Sequence, residues 1–443
     1  MGKRIFWVLV LVLGTVSTPS HAVREYFSLS RSIRALGMGG AFYGLSDDEN
    51  ALFYNPAGLG FREDGADLMV SLKLDASTNV VPALQTLLRG GSRTVASVMS
   101  DLNQFQGQAL AANVTPLFAY YVRKYFSMGL LVADTKIDVA LLGRDMDTTV
   151  DITALSDSGL FVGFAAPVLP GLVVGANAKG LFRVGGHRAY TVLDIAQNNG
   201  FAMDLQSMGG AGGGVDFDLG ATYQLPEILD GVTMRASLVA NNLLGSQLNT
   251  FRLSSSTSAP PSLPRMLTLA GYMRVPGFSA VEHIDFVLDL AEFAIGGQSD
   301  PLYGARTGSL WKHVNFGAEG RMFGWLYGRA GFRQGNFTLG IGLDARYFQM
   351  DIATYAEELA SLPGRLTSRR VALRLAAGFG GAARPVRSAT RTEVEEPSKR
   401  APGKSETGDP SKPFDKAAPA APEQPHGQNS DFDVSKSLKV SLH

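Results

Sequence analysis

Three histidines lie away from the two ends of the chain, and acid–base, nucleophilic or metal chemistry would have to start from them. They are His187, His283 and His313. A hydrolase needs a histidine held beside a nucleophile and a carboxylate. His283 has Asp285 two residues away, a spacing that chance often produces. The sequence contains no Gly-x-Ser-x-Gly stretch, no phosphate-binding loop and no histidine cluster at metal-ligand spacing. We therefore expect no catalytic residue, no metal site and no cofactor.

The composition favours an exported all-β protein over a cytosolic enzyme. The 443 residues carry 40 lysines and arginines against 40 aspartates and glutamates, a formal net charge of +0 that offers no basic excess to nucleic acid. Cysteine is absent, which excludes thiolate chemistry, cysteine-ligated metals and disulfide bonds. Glycine accounts for 51 residues, about 11.5% where roughly 7% is usual.

The first 22 residues have the parts of a secretory signal peptide. Lys3 and Arg4 give a positive start, residues 5–14 form an apolar run, and Ser20-His21-Ala22 is a small-x-small cleavage pattern. The apolar run is too short to span a bilayer. We expect residues 1–22 to be a signal peptide; a retained N-terminal membrane helix is the alternative.

Segments of about ten residues with alternating apolar and polar side chains follow one another along the chain, which is typical of an outer-membrane β-barrel. We predict an all-β fold, a transmembrane antiparallel barrel of fourteen strands. The expected strands are 66–74, 114–123, 126–139, 157–167, 171–184, 212–224, 231–243, 264–274, 282–292, 311–323, 325–334, 337–345, 348–356 and 367–380. The connections alternate between short turns and mostly long loops, the long ones being 75–113, 140–156, 185–211, 244–263 and 293–310. Short periplasmic turns and long outer loops are typical of such barrels.

Alternation within the strands separates the lipid face from the lumen. In the last strand Val371, Leu373 and Leu375 share one face, and Arg374 lies on the other. A charge on the lipid face at mid-depth would cost roughly 2–4 kcal/mol, so charged positions should face the lumen. These are Asp285, Asp289, Glu319, Arg321, Arg329, Arg333, Asp351 and Arg374. We expect most of them to pair with each other; the alternative is that Arg329 and Arg333 contact a substrate carboxylate.

The segment before the first strand is too rich in glycine for a lipid-facing strand and too apolar for a disordered tail. Asp47 or Asp48 is a suitable N-cap for a short helix that must end at Asn55, because a residue before proline is disfavoured in the α conformation. These turns predict a hatch, or plug, inside the barrel, over residues 23–65. The candidate hatch residues are Gly37, Gly39, Gly40, Asp47, Asp48, Asn55, Pro56, Ala57 and Gly58.

This segment resembles a known family. Residues 37–42 (GMGGAF), Asp47-Asp48 and residues 51–59 (ALFYNPAGL) are similar to the N-terminal hatch of the long-chain fatty-acid outer-membrane transporter (FadL-like) superfamily, which includes barrels such as the type IX secretion shuttle protein. Residues 316–342 and 351–359 add to the resemblance, which brackets about 28–380. It implies a fourteen-strand barrel occluded by its hatch, from which hydrophobic ligands leave sideways through a gap in the wall.

Two hypotheses concern single residues of the chain. The resemblance implies that Asn55, Pro56 and Ala57 help to set the hatch; a purely structural role of this motif is the alternative. A kink at Gly129 in the third strand is a candidate for the gap in the wall.

The first outer loop offers a candidate landing site for an apolar ligand. Residues 80–110 place apolar side chains at helical spacing, which predicts two short amphipathic helices. The candidate ligand contacts are Leu84, Leu87, Leu88 and Phe105. The alternative is that the helices pack on the rim and cover each other.

The composition changes after the last strand. Proline, alanine, lysine and glutamate dominate, so residues 381–443 are expected to form a disordered tail in the periplasm. Residues 432–442 alternate between apolar and polar side chains and are a candidate strand for a periplasmic partner, against the alternative of a tail without a function.

Two functions fit these observations. The first is passive uptake of hydrophobic, fatty-acid-like small molecules by a monomeric barrel of 66–380 in the cell outer membrane, surrounded by membrane lipid. The second is a non-transporting barrel for assembly or secretion that binds a periplasmic or secreted protein. The first predicts a continuous apolar cavity between hatch and wall, and the second a lumen filled by charge pairs. Neither is an enzyme or binds nucleic acid.

Overall fold

A computed structural model of the chain describes residues 29–378 without 88–95, 97–99, 101–108, 143–148, 198–208, 253–259, 297–309, 346 and 360–366. All described residues belong to one compact unit, Met1–Ser388. The residues of the second unit, Ala389–His443, are not among those described. The expected signal peptide (1–22) and tail (381–443) are also outside the described residues.

Within this part of the chain, fourteen long antiparallel strands close into a barrel, which confirms the predicted fold class. Strands that follow one another in sequence pair with each other, β1 pairs with β15, and β5 pairs with β6. A fifteenth strand, β8, has two residues and pairs with β6. The strands are β1 Ala66–Ser77, β2 Ala109–Arg123, β3 Phe126–Leu142, β4 Thr149–Leu169, β5 Leu172–Thr191, β6 Ala211–Gln224, β7 Thr233–Asn241, β8 Phe251–Arg252, β9 Met266–Pro276, β10 Val281–Ala294, β11 Val314–Met322, β12 Leu326–Arg333, β13 Asn336–Ala345, β14 Phe348–Glu358 and β15 Thr367–Gly378.

The helices are short and form no part of the barrel wall. The α-helices are α1 Ile33–Gly37, α2 Val80–Leu87 and α3 Val192–Gln197, and three 3₁₀ helices span Glu49–Leu52, Pro56–Phe61 and Leu310–Lys312. No helix among the described residues is long and apolar enough to cross a membrane.

The predicted alternation of faces is confirmed along the strands. In β10, Asp285, Val287 and Asp289 are buried, whereas Leu288 between them is exposed. In β15, Arg370, Ala372 and Arg374 are buried and Val371 is exposed. Because a side chain can be exposed on only one side of a filled barrel, the exposed apolar positions are on the outer face.

Two of the expected outer loops are partly strand. Residues 140–156 and 185–211 were expected as connections, but β3, β4 and β5 continue into them, and Thr149 pairs with both Leu142 and Thr191. The sequence TVDIT at 149–153 is rich in β-branched residues, which favour strands. β4 has 21 residues, about twice the 9–11 that a tilted strand needs to cross a membrane. The long strands β3, β4 and β5 therefore extend beyond the part of the barrel that would cross the membrane.

Candidate functional site

Residues 29–65, here called the N-terminal segment, lie inside the barrel. The backbone N–H groups of Phe42 and Tyr43 donate to the Asp289 carboxylate on β10 over 2.6 and 3.0 Å. Asn177 on β5 donates from Nδ2 to the Ala51 carbonyl at 3.0 Å. Contacts with lumen-facing side chains of strands this far apart in the sheet require the segment to occupy the lumen between them.

Side-chain caps organise the turns of this segment. The Asp48 carboxylate accepts from the Asn50 backbone N–H at 2.9 Å and starts the first 3₁₀ helix, so the predicted N-cap at this position is confirmed. The Asn55 side-chain oxygen accepts from the Ala57 N–H at 3.0 Å and starts the second, with Pro56 as its first residue. Each cap satisfies a backbone donor that the short helix leaves unpaired.

Close approach to the wall explains why glycine occurs at Gly39. Its φ is +68°, and a Cβ there would lie 2.5 Å from the Phe316 carbonyl oxygen on β11 and 2.6 Å from the Phe332 nitrogen on β12. A side chain at this position would push the segment off the wall. Of the nine candidate hatch residues, Asp47 is half-buried and the other eight are buried.

Arg34 ties the segment to the wall through charge. Its guanidinium pairs with Glu319 on β11 at 2.7 Å, and with Asp47 and Asp48 of the segment at 2.8 Å each. Burial alone would lower the pKa of Arg34, but the Glu319, Asp47 and Asp48 carboxylates raise it well above its usual value. The guanidinium therefore stays charged, and its two-point contact with Glu319 fixes the orientation of both side chains.

Further ion pairs link Glu319 to its neighbours along the wall and, at the other end, to another carboxylate of the segment. Glu319 pairs with Arg329 at 2.6 Å, and Arg329 pairs with Asp351 at 2.6 Å. Arg374 pairs with Asp351 and with Glu49 of the segment, each at 2.8 Å. We call this set the charge chain; it comprises Asp47, Asp48, Arg34, Glu319, Arg329, Asp351, Arg374 and Glu49.

The predicted pairing of lumen charges is thereby confirmed for Glu319, Arg329, Asp351 and Arg374. Asp289 departs from it, because this carboxylate accepts backbone N–H groups of the segment rather than a cation. The three other predicted lumen charges pair with residues outside the predicted set. Asp285 pairs with Arg274 at 2.7 Å, Arg321 with Glu282 at 3.4 Å and Arg333 with Glu357 at 3.4 Å.

The candidate ligand contacts are not brought together within the described residues. Leu84 and Leu87 are in α2, where their side chains are not described, and Leu88 and Phe105 lie outside the description. Arg329 is buried between Glu319 and Asp351, which leaves its guanidinium engaged by the wall. Arg333 is buried next to Glu357 and Gly40. Ligand contact of these six residues stays a prediction.

Sequence reasoning missed an aromatic cluster in the lumen. Phe53 of the segment lies 5.4 Å from Phe118 on β2 and 5.0 Å from Phe161 on β4, between ring centroids. Buried Leu131 and Leu181 belong to the same apolar cluster. The signal was available in β2, where Phe118, Tyr120 and Val122 share the inward face that other strands fill with charges.

An apolar hollow opens in the wall outside this cluster. Its volume is about 470 Å³, and its lining combines exposed apolar side chains with small residues from four adjacent strands. The lining is Leu130, Leu131, Val132, Ser158, Gly159, Leu160, Gly180, Leu181, Phe182, Gly213, Gly214 and Val215. We call it the wall hollow. Leu130, Leu160 and Val215 are exposed, so it opens to the outer face.

A bulge in β3 borders the wall hollow. The pairing of β3 with β4 shifts between Leu131 and Asp134, and Ala133 has a φ of +51°. The kink expected at Gly129 is therefore displaced along the strand. Gly129 faces inward, where a Cβ would meet the Phe118 ring at 2.7 Å.

The comparisons with known proteins give structural neighbours only. No family model matches the sequence, and no curated protein matches it. The solved neighbours include the toluene transporter TodX of P. putida, with 12% identity, a TM-score of 0.44, and coverage of 80% of this chain and 99% of that one. The toluene transporter TbuX of Ralstonia pickettii has 12% identity, a TM-score of 0.41, and coverage of 79% and 98%. A Pseudomonas aeruginosa FadL homologue has 12% identity, a TM-score of 0.33, and coverage of 82% and 99%. The structural neighbours of this chain thus include hydrocarbon transporters and a FadL homologue.

Proposed function

We propose that this protein is an outer-membrane barrel for passive uptake of hydrophobic small molecules, including fatty-acid-like ones, which leave sideways through the wall hollow. The observation that carries the proposal concerns Leu131 and Leu181. Both side chains belong to the buried apolar cluster in the lumen, and both line the wall hollow on the outside. At this point the lumen cluster and the outer hollow are separated by a single layer of paired strands.

The outer face supports a membrane location. Large apolar side chains are exposed around the barrel, among them Leu160, Phe164, Leu238, Leu269 and Leu339. Phe278, Phe323, Trp325 and Tyr347 are exposed near the short turns, as in the aromatic girdles of membrane barrels. The end with short turns would face the periplasm, and the tail after β15 would start there.

The charge chain supports a sideways exit rather than an axial one. An apolar ligand that moved straight down the lumen would have to separate buried ion pairs between Arg34, Glu319, Arg329 and Asp351. Breaking a buried pair costs about 3–5 kcal/mol. Through the wall hollow the ligand passes from apolar protein to apolar lipid, so its transfer needs no energy source.

Filling the wall hollow tests the proposal. A Cβ added at Gly180 has its nearest atom at 3.9 Å, the Leu160 carbonyl oxygen, so a side chain fits there. Gly180→Leu should lower the uptake of radiolabelled oleate by lipid vesicles containing the protein several-fold. The matched control is Gly320→Leu, a strand glycine on β11 whose added Cβ is also 3.9 Å from its nearest atom. This control should take up oleate like the wild type.

These measurements test the exit route through the wall hollow separately from the uptake activity itself. If both variants take up oleate like the wild type, the wall hollow is not the exit. If the wild type takes up neither oleate nor toluene above empty vesicles, uptake itself is wrong.

A second function is supported by the charge chain. A lumen filled by buried ion pairs is what a non-transporting barrel for assembly or secretion would have, with a periplasmic or secreted protein as its partner. Purification of the wild type in mild detergent, followed by native mass spectrometry, distinguishes the two proposals. A co-purifying apolar ligand supports uptake, and a stoichiometric protein partner with no ligand supports assembly.

A further inference from the structure

The rings that surround Phe53 form a pocket of aromatic dimensions. Phe118 and Phe161, on β2 and β4, are 2% and 0% exposed. They approach the Phe53 ring at interplanar angles of 52° and 65°. Tilted and edge-on contacts at these distances are the favourable arrangements of aromatic pairs. The wall therefore presents a site shaped for a six-membered ring, and Phe53 fills it.

Phe53 differs from its neighbours in the segment. Ala51 and Leu52 are fully buried, whereas Phe53 is half-buried. It packs against two separate apolar clusters, one containing Phe118 and the other Phe42. Phe53 is the C-cap directly after the first 3₁₀ helix, and its N–H donates to the Asn50 carbonyl at 2.8 Å. A side chain at such a position can leave its site without breaking a longer helix.

The pocket lies directly behind the wall hollow. A Cβ at Gly159, which lines the hollow, would touch the Phe161 ring at 2.9 Å and the Gly180 carbonyl oxygen at 2.6 Å. Leu131 and Leu181 join the two spaces. A molecule in the place of the Phe53 ring would therefore be separated from lipid by the paired strands β3, β4 and β5.

From this geometry we propose that the site between Phe118 and Phe161 binds a ring-sized apolar group of the ligand, and that Phe53 is its internal occupant, displaced when the ligand enters. The inference rests on the proposed uptake function and narrows its ligands to molecules with an aromatic or similar ring. Removal of the half-buried Phe53 ring would leave apolar space against Phe118 and Phe161, and an engineered apolar cavity of about 150 Å³ binds benzene. Phe53 and the ligand thus compete for one site.

Toluene is the probe for this competition, with n-octane as the linear comparison. The dissociation constant of toluene is measured on the purified full-length protein in detergent, by partition between headspace and solution. Phe53→Ala should bind toluene at least about tenfold more tightly than the wild type does, and Phe53→Trp should bind it more weakly. Phe53→Leu, which keeps most of the packing, should lie between Phe53→Ala and the wild type and serves if the alanine variant does not fold.

Uptake into vesicles tests the location of the site. Phe53→Ala should increase toluene uptake several-fold over the wild type, with a smaller increase for n-octane and no increased leakage of a polar dye. The matched control is Phe42→Ala, which removes another buried ring of the same segment, one that packs on Tyr54 at 5.3 Å. It should not increase toluene uptake.

Toluene affinity in Phe53→Ala and Phe53→Leu no higher than in the wild type would overturn the inference. So would an equal gain of uptake in Phe42→Ala, since that result indicates a loosened segment. If toluene binds more tightly to the variants but the wild type takes up neither oleate nor toluene above empty vesicles, the pocket stands and the proposed uptake function fails. If the wild type takes up oleate but the Phe53 variants bind toluene no more tightly than the wild type, the uptake function stands and the proposed pocket fails.

Discussion

At the scale of single residues, Asn55 connects three parts of the molecule. Its side-chain oxygen caps the second 3₁₀ helix, and its amide donates to the Tyr43 carbonyl at 2.9 Å and to the Thr222 hydroxyl on β6 at 3.0 Å. The residue is buried, so water cannot replace these bonds. An asparagine is suited to this position because it offers one acceptor and two donors on the same planar group.

Replacement of Asn55 by alanine should therefore destabilise the segment. We expect Asn55→Ala to lower the free energy of unfolding by roughly 1–3 kcal/mol, the cost of buried groups left without partners. Urea unfolding in lipid vesicles, followed by tryptophan fluorescence, measures this change. Asn336→Ala is the control: this half-buried asparagine donates to the Gln334 carbonyl at 3.3 Å in the turn after β12, and its loss should cost below about 0.5 kcal/mol. Equal effects of the two replacements would contradict the role of Asn55.

At the scale of elements, the bulge in β3 decides which side chains face the lumen. Before it, Leu131 is buried; after it, Asp134 and Lys136 are buried, so the inward face changes from odd to even residue numbers. Without the extra residue these charges would face lipid, because a one-residue slip turns every side chain to the other face. The bulge therefore lets β3 present apolar side chains to the lumen before residue 132 and charged side chains to the lumen after residue 133.

The left-handed conformation of Ala133 allows the role of the β3 bulge to be tested. A left-handed backbone is strained for a β-branched residue and relaxed for glycine. Ala133→Val should destabilise the barrel by roughly 1–2 kcal/mol, while Ala133→Gly should be neutral or stabilising. The control is Ala236→Val, at an exposed alanine of β7, which should have little effect. If valine is tolerated equally at both positions, the left-handed conformation does not constrain β3.

At the scale of the whole molecule, the charge chain joins the N-terminal segment to β11, β12, β14 and β15. Arg34 and Glu319 are 285 positions apart in the sequence, and Glu49 and Arg374 are 325 apart. The opposite side of the segment meets β2, β4 and β5 through aromatic rings and small residues. One half is thus held by ion pairs, and the other by apolar packing with a few neutral hydrogen bonds such as that from Asn177 to Ala51. This division supports ligand movement on the side without ion pairs.

Glu319 is the member whose loss should matter most, because it accepts from both Arg34 and Arg329. Glu319→Gln keeps the shape but removes the carboxylate that bridges Arg34 and Arg329, which retain Asp47, Asp48 and Asp351 as partners. We expect it to lower the free energy of unfolding by about 1.5–3 kcal/mol, the contribution of hydrogen bonds to charged groups. The control is Glu282→Gln on β10, a carboxylate that is 44% exposed and 3.4 Å from Arg321, where the loss should stay below about 1 kcal/mol. Similar losses in urea unfolding for both variants would mean that the charge chain adds no stability.

The sequence by itself determined the number, order and faces of the strands. Alternation between neighbouring residues is a local property, so Val371 against Ala372 could be assigned without knowledge of the partner strands. The cap at Asp48 was also local, since its carboxylate bonds to a residue two positions away; the cap at Asn55 was not predicted. The continuation of β3, β4 and β5 into the expected loops was missed although the β-branched residues at 149–153 favour a strand, because strand ends also depend on pairing with neighbouring strands.

The tertiary structure alone decided which side chains meet across the lumen. Closure of the barrel brings Arg34 to Glu319, and Phe53 to Phe118 and Phe161, and no periodicity encodes these distances. The wall hollow likewise depends on glycines of β4, β5 and β6 lying side by side in one register. Register follows from the stagger of all strands around the barrel, a property of the closed sheet that no single segment contains.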